Sequence, residues 1–216
     1  NADLIDKIGN LLYKKVFSLD NKKTNFNNTD EAKLRLSKQA KYYLWSRIIK
    51  RDLVRHLYFD ERIDFCEDAL YLTECYFEAK KIITFNESLY GYRQHDSNLT
   101  VAKTSKNIYQ LTILHDVVVD KIDSIEKEHY KKYLIPLLLN TIHLRKSMYA
   151  IQFRKIVCDD VTLRQISHIR NSYKWSFFCR NNSIAWIRQF SLSMPKVSNS
   201  TILIKQHLKN ILILRK

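Results

Sequence analysis

The chain has 216 residues, 45% of them hydrophobic and 27% charged, which suffices for one good-sized domain or a domain with an appendage and is too apolar for a disordered segment. It holds only two glycines, Gly9 and Gly91, and two prolines, Pro136 and Pro195, where average usage would supply roughly fifteen glycines, so Gly-rich phosphate loops are excluded. The formal net charge is +15, and residues 161–216 carry ten of the 37 basic residues and none of the 22 acidic ones, an asymmetry that suits nucleic acid or an anionic membrane surface.

So little glycine and proline favours long helices with short connections. Residues 1–16 are apolar at Leu4, Ile5, Ile8, Leu11 and Leu12; the end of a buried strand is one reading, and periodicity does not settle it. "SLDNKKTNFNNTD" is rich in Asn and Asp and reads as a loop. Residues 31–56 carry a helical pattern with a break near Ser37, firmest over "KQAKYYLWSRIIKRDLVRH". "LYFDERID" reads as extended or turning. A helix over roughly 65–80 follows, and Asp64 and Glu67 stand three apart before its apolar run, the spacing of a capping box. "KIITF" and "SLYGYRQ" read as two strands around a turn at Asn86–Glu87, and "HDSNLTVAKTSKN" as a loop. From about 107 to 150 the pattern is helical, split near Asp123–Ser124, with Pro136 in a first turn or at a kink. Residues 161–194 and 199–215 read as further helices.

Cys66, Cys75, Cys158 and Cys179 form no CxxC pair and no Cys/His cluster at zinc-ligand spacing. They read as reduced thiols, which fits a cytoplasmic setting. The sequence begins with Asn1 and shows no signal peptide, so a trimmed, processed or partial chain is expected. No apolar run approaches the ~18–20 residues needed to span a bilayer.

The segments "YLWSRIIKRDLV", "YFDERIDFCEDALYLTECYFEAKKI" and "ESLYGYRQHDSNLT", in that order, resemble the second half of a family-2 glycosyltransferase domain. The matching elements are Trp45 to Arg51, Phe59 and Glu61, Glu67–Asp68 where the family has an aromatic or Gly residue before Glu-Asp, Tyr90–Gly91–Tyr92–Arg93, and His95. The likeness covers about residues 39–100, more loosely 1–16. Ser46-Arg47 replaces the usual Asn-Lys, and Asn98 stands where a Ser is common. The resemblance implies an α/β, GT-A-like partial domain over residues 1–105 and a mostly helical, basic region over 106–216, helix-rich overall. It sets Asn1 about a hundred residues into the family domain. The Gly-containing nucleotide-binding strands and the Asp-x-Asp metal motif have no counterpart; Asp3 and Asp6 lack the spacing.

The resemblance also implies chemistry. Inverting transfer needs a base within roughly 2.6–3.2 Å of the acceptor hydroxyl, and the family pattern gives that role to Asp68, with Glu67 orienting the acceptor or the loop. A helix N-terminus favours the ionised carboxylate. The plainer alternative makes Glu67 a capping-box partner and Asp68 a favourable first-turn charge. Trp45, Arg93 and His95 are candidate substrate-binding residues: Trp45 as a sugar platform or a core anchor, Arg93 as a diphosphate partner, His95 near the diphosphate or as a ligand to a divalent metal, Mn or Mg. A nucleotide-sugar donor and a glycan or lipid-linked glycan acceptor follow, in bacterial surface polysaccharide or lipopolysaccharide assembly.

In the tail, Trp175, Phe177, Phe178, Trp186 and Phe190 interleave with Lys and Arg. Such a pattern suits a peripheral position on the inner face of the cytoplasmic membrane, or simple packing on the domain. No nucleic-acid motif accompanies it. The rival expectation is a non-catalytic basic helical module that binds a membrane surface or a protein partner.

Overall fold

The structure is a computed structural model and describes residues 2–5, 11–13, 24–25, 30, 33–34, 42–84, 90–93, 104–125, 128–155, 157–172 and 198–204. The chain is helix-rich and divides into two compact units, Asn1–Asp60 with Glu67–Ala102, and Glu61–Cys66 with Lys103–Lys216.

The first unit contains β1 (Ala2–Ile5), β2 (Leu11–Tyr13), β3 (Thr24–Asn25), a 3-10 turn (Leu44–Ser46), α1 (Arg51–Val54), α2 (Glu67–Glu78), β4 (Ile83–Thr84) and β5 (Tyr90–Arg93). One sheet has the order β2-β1-β5. β1 pairs with β2 antiparallel, and with β5 parallel in the register Ala2↔Tyr90 to Ile5↔Arg93. A parallel pair needs a crossover connection, and α2 lies in that connection. The two expected strands after α2 therefore do not pair with each other. β4 pairs instead with β3, inside the Asn-rich stretch expected to be a loop.

α2 buries Ala69, Leu70, Leu72, Thr73, Cys75 and Tyr76, the one-sided spacing of an amphipathic helix. Thr73 Oγ1 donates to the Ala69 carbonyl at 2.8 Å, which satisfies a buried hydroxyl. At its other end Lys33 Nζ donates to the Phe77 carbonyl at 2.8 Å, a cation placed at the negative helix terminus.

The helix expected over residues 38–56 is formed only in part over the described residues 42–56: residues 42–50 are irregular apart from Leu44–Ser46, and only Arg51–Val54 is α-helical. Arg47 and Lys50 are extended, with φ/ψ of −123°/145° and −65°/126°. Aromatic and β-branched residues lose side-chain freedom in a helix, so Tyr42, Tyr43, Trp45, Ile48 and Ile49 favour it little.

The second unit is built on α3 (Ser105–Ser124), α4 (Glu128–Phe153), α5 (Asp160–Ser172) and helical residues 198–204. Thr104 caps α3 by accepting from the Asn107 N–H at 3.2 Å. Ile108, Leu111, Leu114, Val118 and Ile122 line its buried face, and it ends at Ser124, where the sequence pattern breaks. α4 buries Leu134, Ile135, Leu137, Leu138, Leu139 and Ile142, residues all around its circumference, as a central helix does. Pro136 lies inside α4, which removes the first-turn alternative and one backbone hydrogen bond. α5 buries Thr162, Gln165, Ile166 and Ile169. The remainder of the expected 161–194 helix, and residues 205–215 of the last one, lie outside the described residues.

Polar groups join these helices. Arg145, 5% exposed, pairs through both terminal nitrogens with the two carboxylate oxygens of Asp159, each at 2.8 Å. Its Nε donates to Thr112 Oγ1 at 2.9 Å, and Nη1 also bonds Thr162 Oγ1. Burial pushes the Asp159 carboxyl up, but the bonds from Arg145 and Thr162 outweigh it and hold Asp159 below the usual carboxylate range. Lys146, 1% exposed, donates from Nζ to Ser198 Oγ at 2.7 Å. Among the described residues, no helix is long and apolar enough to cross a membrane.

Candidate active site

Asp68 is the second residue of α2, and the expected capping box is absent from its start. Asp64 is turned to other work. Its backbone N–H donates to Gln110 Oε1 at 2.8 Å, and its carboxylate pairs with Lys106 at 3.1 Å. The helix begins at Glu67, and Cys66 before it has φ of 63°. That region is open to glycine and costly for other residues.

The Asp68 carboxylate accepts from the backbone N–H groups of Leu44, Ala69 and Asp68 itself. Burial, and next the charge of Glu67, push its pKa up to about 6. The expected effect of the helix terminus is present but loses: three backbone N–H groups stabilise the anion, and desolvation with a like charge outweighs them. A carboxylate held near 6 is still mostly ionised at neutral pH. It is also a better-matched proton acceptor than one of ordinary acidity.

The Leu44 N–H belongs to the turn that carries Trp45. Ser46 N and Oγ both donate to the Tyr43 carbonyl, at 3.1 and 2.7 Å. Arg47 Nη1 donates to Ser46 Oγ at 2.6 Å, and Arg47 Nε to the Tyr76 hydroxyl of α2 at 3.3 Å. Trp45 stacks on Tyr90 with ring centroids 5.0 Å apart and planes 23° apart, and the Tyr43 ring lies 5.1 Å from it at 31°. A second pair, Phe59 on Tyr71, stacks at 4.3 Å and 14°.

The fold therefore brings the Trp45 turn to Asp68, two candidates 23 positions apart in sequence. Glu67 is adjacent to Asp68 and raises its proton affinity. The Arg93 backbone pairs with Ile5 in β5, while its side chain and the whole of His95 lie outside the described residues. Tyr43, Tyr90 and the Leu44 N–H were not singled out from sequence. Tyr90 stood in a quoted motif, but nothing local marked it as the partner of Trp45.

Among the described residues, no group of three or more His, Cys, Asp or Glu side chains could hold a metal ion. The charge of Glu67 acts directly on Asp68, and His95, the ligand that the resemblance implies, lies outside the described residues. Cys66, Cys75 and Cys158 are reduced thiols, and burial pushes Cys75 up to about 11, which makes it a poor nucleophile at neutral pH.

No family model, curated protein or solved structure matches the chain.

Proposed function

We propose that the chain provides the acceptor side of an inverting glycosyltransferase of the GT-A-like, family-2 type, with Asp68 as its base. The single observation that supports this most is the Asp68 carboxylate: half-buried, raised to about 6, and held by backbone N–H groups beside an aromatic turn. A structural first-turn carboxylate has no need of such an environment, and perturbed acids of this kind cluster at functional sites.

In the proposed step the acceptor hydroxyl oxygen attacks the anomeric carbon of a nucleotide sugar as its proton moves to Asp68. The bond from that carbon to the nucleoside diphosphate breaks on the opposite side, and the diphosphate leaves with the electron pair. Glu67 keeps Asp68 basic. Arg93 and His95 are proposed to serve the diphosphate side. The acceptor in this reading is a glycan or lipid-linked glycan of bacterial surface polysaccharide assembly. The acid-free segment 161–216 is proposed to hold the protein on the anionic inner membrane face.

A screen of nucleotide-sugar donors against oligosaccharide acceptors, followed by product mass, tests the reading. In an enzyme complete with its donor-binding half, transfer is expected to fall sharply in Asp68→Asn; transfer at an unchanged rate in that variant would remove Asp68 from the mechanism. The same charge asymmetry favours the second reading, a non-catalytic membrane- or partner-binding module. Binding to anionic liposomes with no interaction with any nucleotide sugar or saccharide would bring it forward.

A further inference from the structure

The aromatic turn beside Asp68 leaves one ring facing outward, and it is not the tryptophan. Trp45 is half-buried and engaged by two rings, Tyr43 at 5.1 Å and Tyr90 at 5.0 Å. Tyr90 is 44% exposed, so the accessible aromatic surface at the end of this stack belongs to β5. The next residue, Gly91, is also exposed. It is one of only two glycines in the chain and pairs with Asp3 of β1, its position facing the side of the sheet opposite to Tyr90.

The geometry selects among ligand chemistries. A quaternary ammonium group is held where several ring faces converge on one point. Here the Trp45 and Tyr90 planes are only 23° apart, so these rings cover each other rather than enclosing a volume. The outward ring offers a flat apolar face, with a tyrosine hydroxyl at its edge. A pyranose matches that surface: its axial C–H groups make one flat apolar face, while its hydroxyls lie around the rim and seek acceptors such as a carboxylate. C–H contacts to a ring face are individually weak, but a whole sugar ring makes several.

We propose that the exposed Tyr90 ring, backed by Trp45, is a pyranose-binding platform for the acceptor sugar. The assignment rests on the acceptor-side reading for the sugar's role, but saccharide binding is measurable without any transfer. Trp45 is then a positioning residue, which carries the platform to the Asp68 turn through the adjacent Leu44 N–H.

The test is saturation-transfer NMR on the full chain with methyl β-D-glucopyranoside, methyl β-D-galactopyranoside and N-acetylglucosamine as probes, and choline as the control. The wild type should transfer magnetisation most strongly to the C–H protons of one pyranose face. Tyr90→Phe should retain binding, and Tyr90→Leu should lose about tenfold in affinity, the scale of one lost aromatic stack. The leucine keeps an apolar cover over Trp45, and a circular-dichroism melt within a few degrees of wild type establishes that the fold is intact. Saccharide binding unchanged in Tyr90→Leu, binding of choline alone, or no binding of any pyranose would each overturn the proposal. Asp68→Asn separates the two readings: saccharide binding retained with transfer lost supports both. A Tyr90 effect on binding with transfer unchanged in Asp68→Asn leaves the platform standing and removes the base.

Discussion

The Asp68 carboxylate accepts a hydrogen bond from the Leu44 backbone N–H, which brings the first turn of α2 to a segment 24 positions earlier. That bond links the candidate base to the aromatic stack.

Asp68 should show its role in two opposed measurements. Its folded pKa, about 6, lies above the ordinary 3.8, so the folded chain keeps a proton that the unfolded chain releases as pH rises between those values. Asp68 therefore costs stability above pH 6, on the order of 2 kcal/mol after allowing for partial exposure. Asp68→Asn should raise the unfolding free energy at pH 7 by about that amount while lowering transfer by roughly 10²–10⁴-fold, the usual scale of general-base loss. Wild-type transfer should climb with pH through about 6. Urea unfolding and a pH–rate profile check the two halves, and a destabilised Asn variant would contradict the desolvation account.

The Arg145–Asp159 pair is a buried ion pair whose partners also bond Thr112 and Thr162. Removing one partner strands the other charge, so Arg145→Met should lose about 3–5 kcal/mol in chemical denaturation. The double change Arg145→Met with Asp159→Leu should lose distinctly less than the two single losses combined. Because Asp159 is held below its ordinary range, its contribution is present above about pH 4 and disappears as pH falls through the lower folded value.

Lys146 gives a dependence of the same sign at high pH. Burial lowers it from 10.5 to about 8, so the unfolded chain binds a proton between those values that the folded chain has released. Stability should rise with pH across that window, by about 3 kcal/mol if the shift is fully expressed. Lys146→Met should flatten the rise and should not destabilise the protein at pH 7, since it removes a buried charge. Thermal melts of both proteins from pH 7 to 10.5 test this by their difference, which cancels the tyrosines.

His115 is 5% exposed, and its Nδ1 lies 2.8 Å from Asp116 Oδ1. Burial lowers its pKa below 6.5, with Asp116 opposing and the charges of His168 and Arg145 reinforcing the shift. Below about pH 6.5 the unfolded chain takes up a proton that the folded chain resists, so stability should fall on acidification. His115→Asn should shrink the loss between pH 7 and 5 in urea unfolding; an unchanged slope would assign that loss to other groups.

The sequence by itself determined the helical character of the later part of the chain. Ile108, Leu111, Leu114, Val118 and Ile122 recur at helical spacing, and near-absence of glycine and proline leaves long segments uninterrupted. It also made Glu67–Asp68 conspicuous, because two adjacent carboxylates before an apolar run need a reason. What it left open depended on partners distant in the chain. Tyr42 to Ile49 is compatible with a helix by its local pattern, and the tertiary structure forms one only over Leu44–Ser46 and Arg51–Val54. β5 finds its parallel partner in β1 rather than in the nearer β4. The helix terminus that favours an ionised Asp68 is legible in sequence, whereas the desolvation that raises its pKa is set by everything packed around the group. Burial and stacking are properties of neighbours brought together across the chain, and only the tertiary structure decided them.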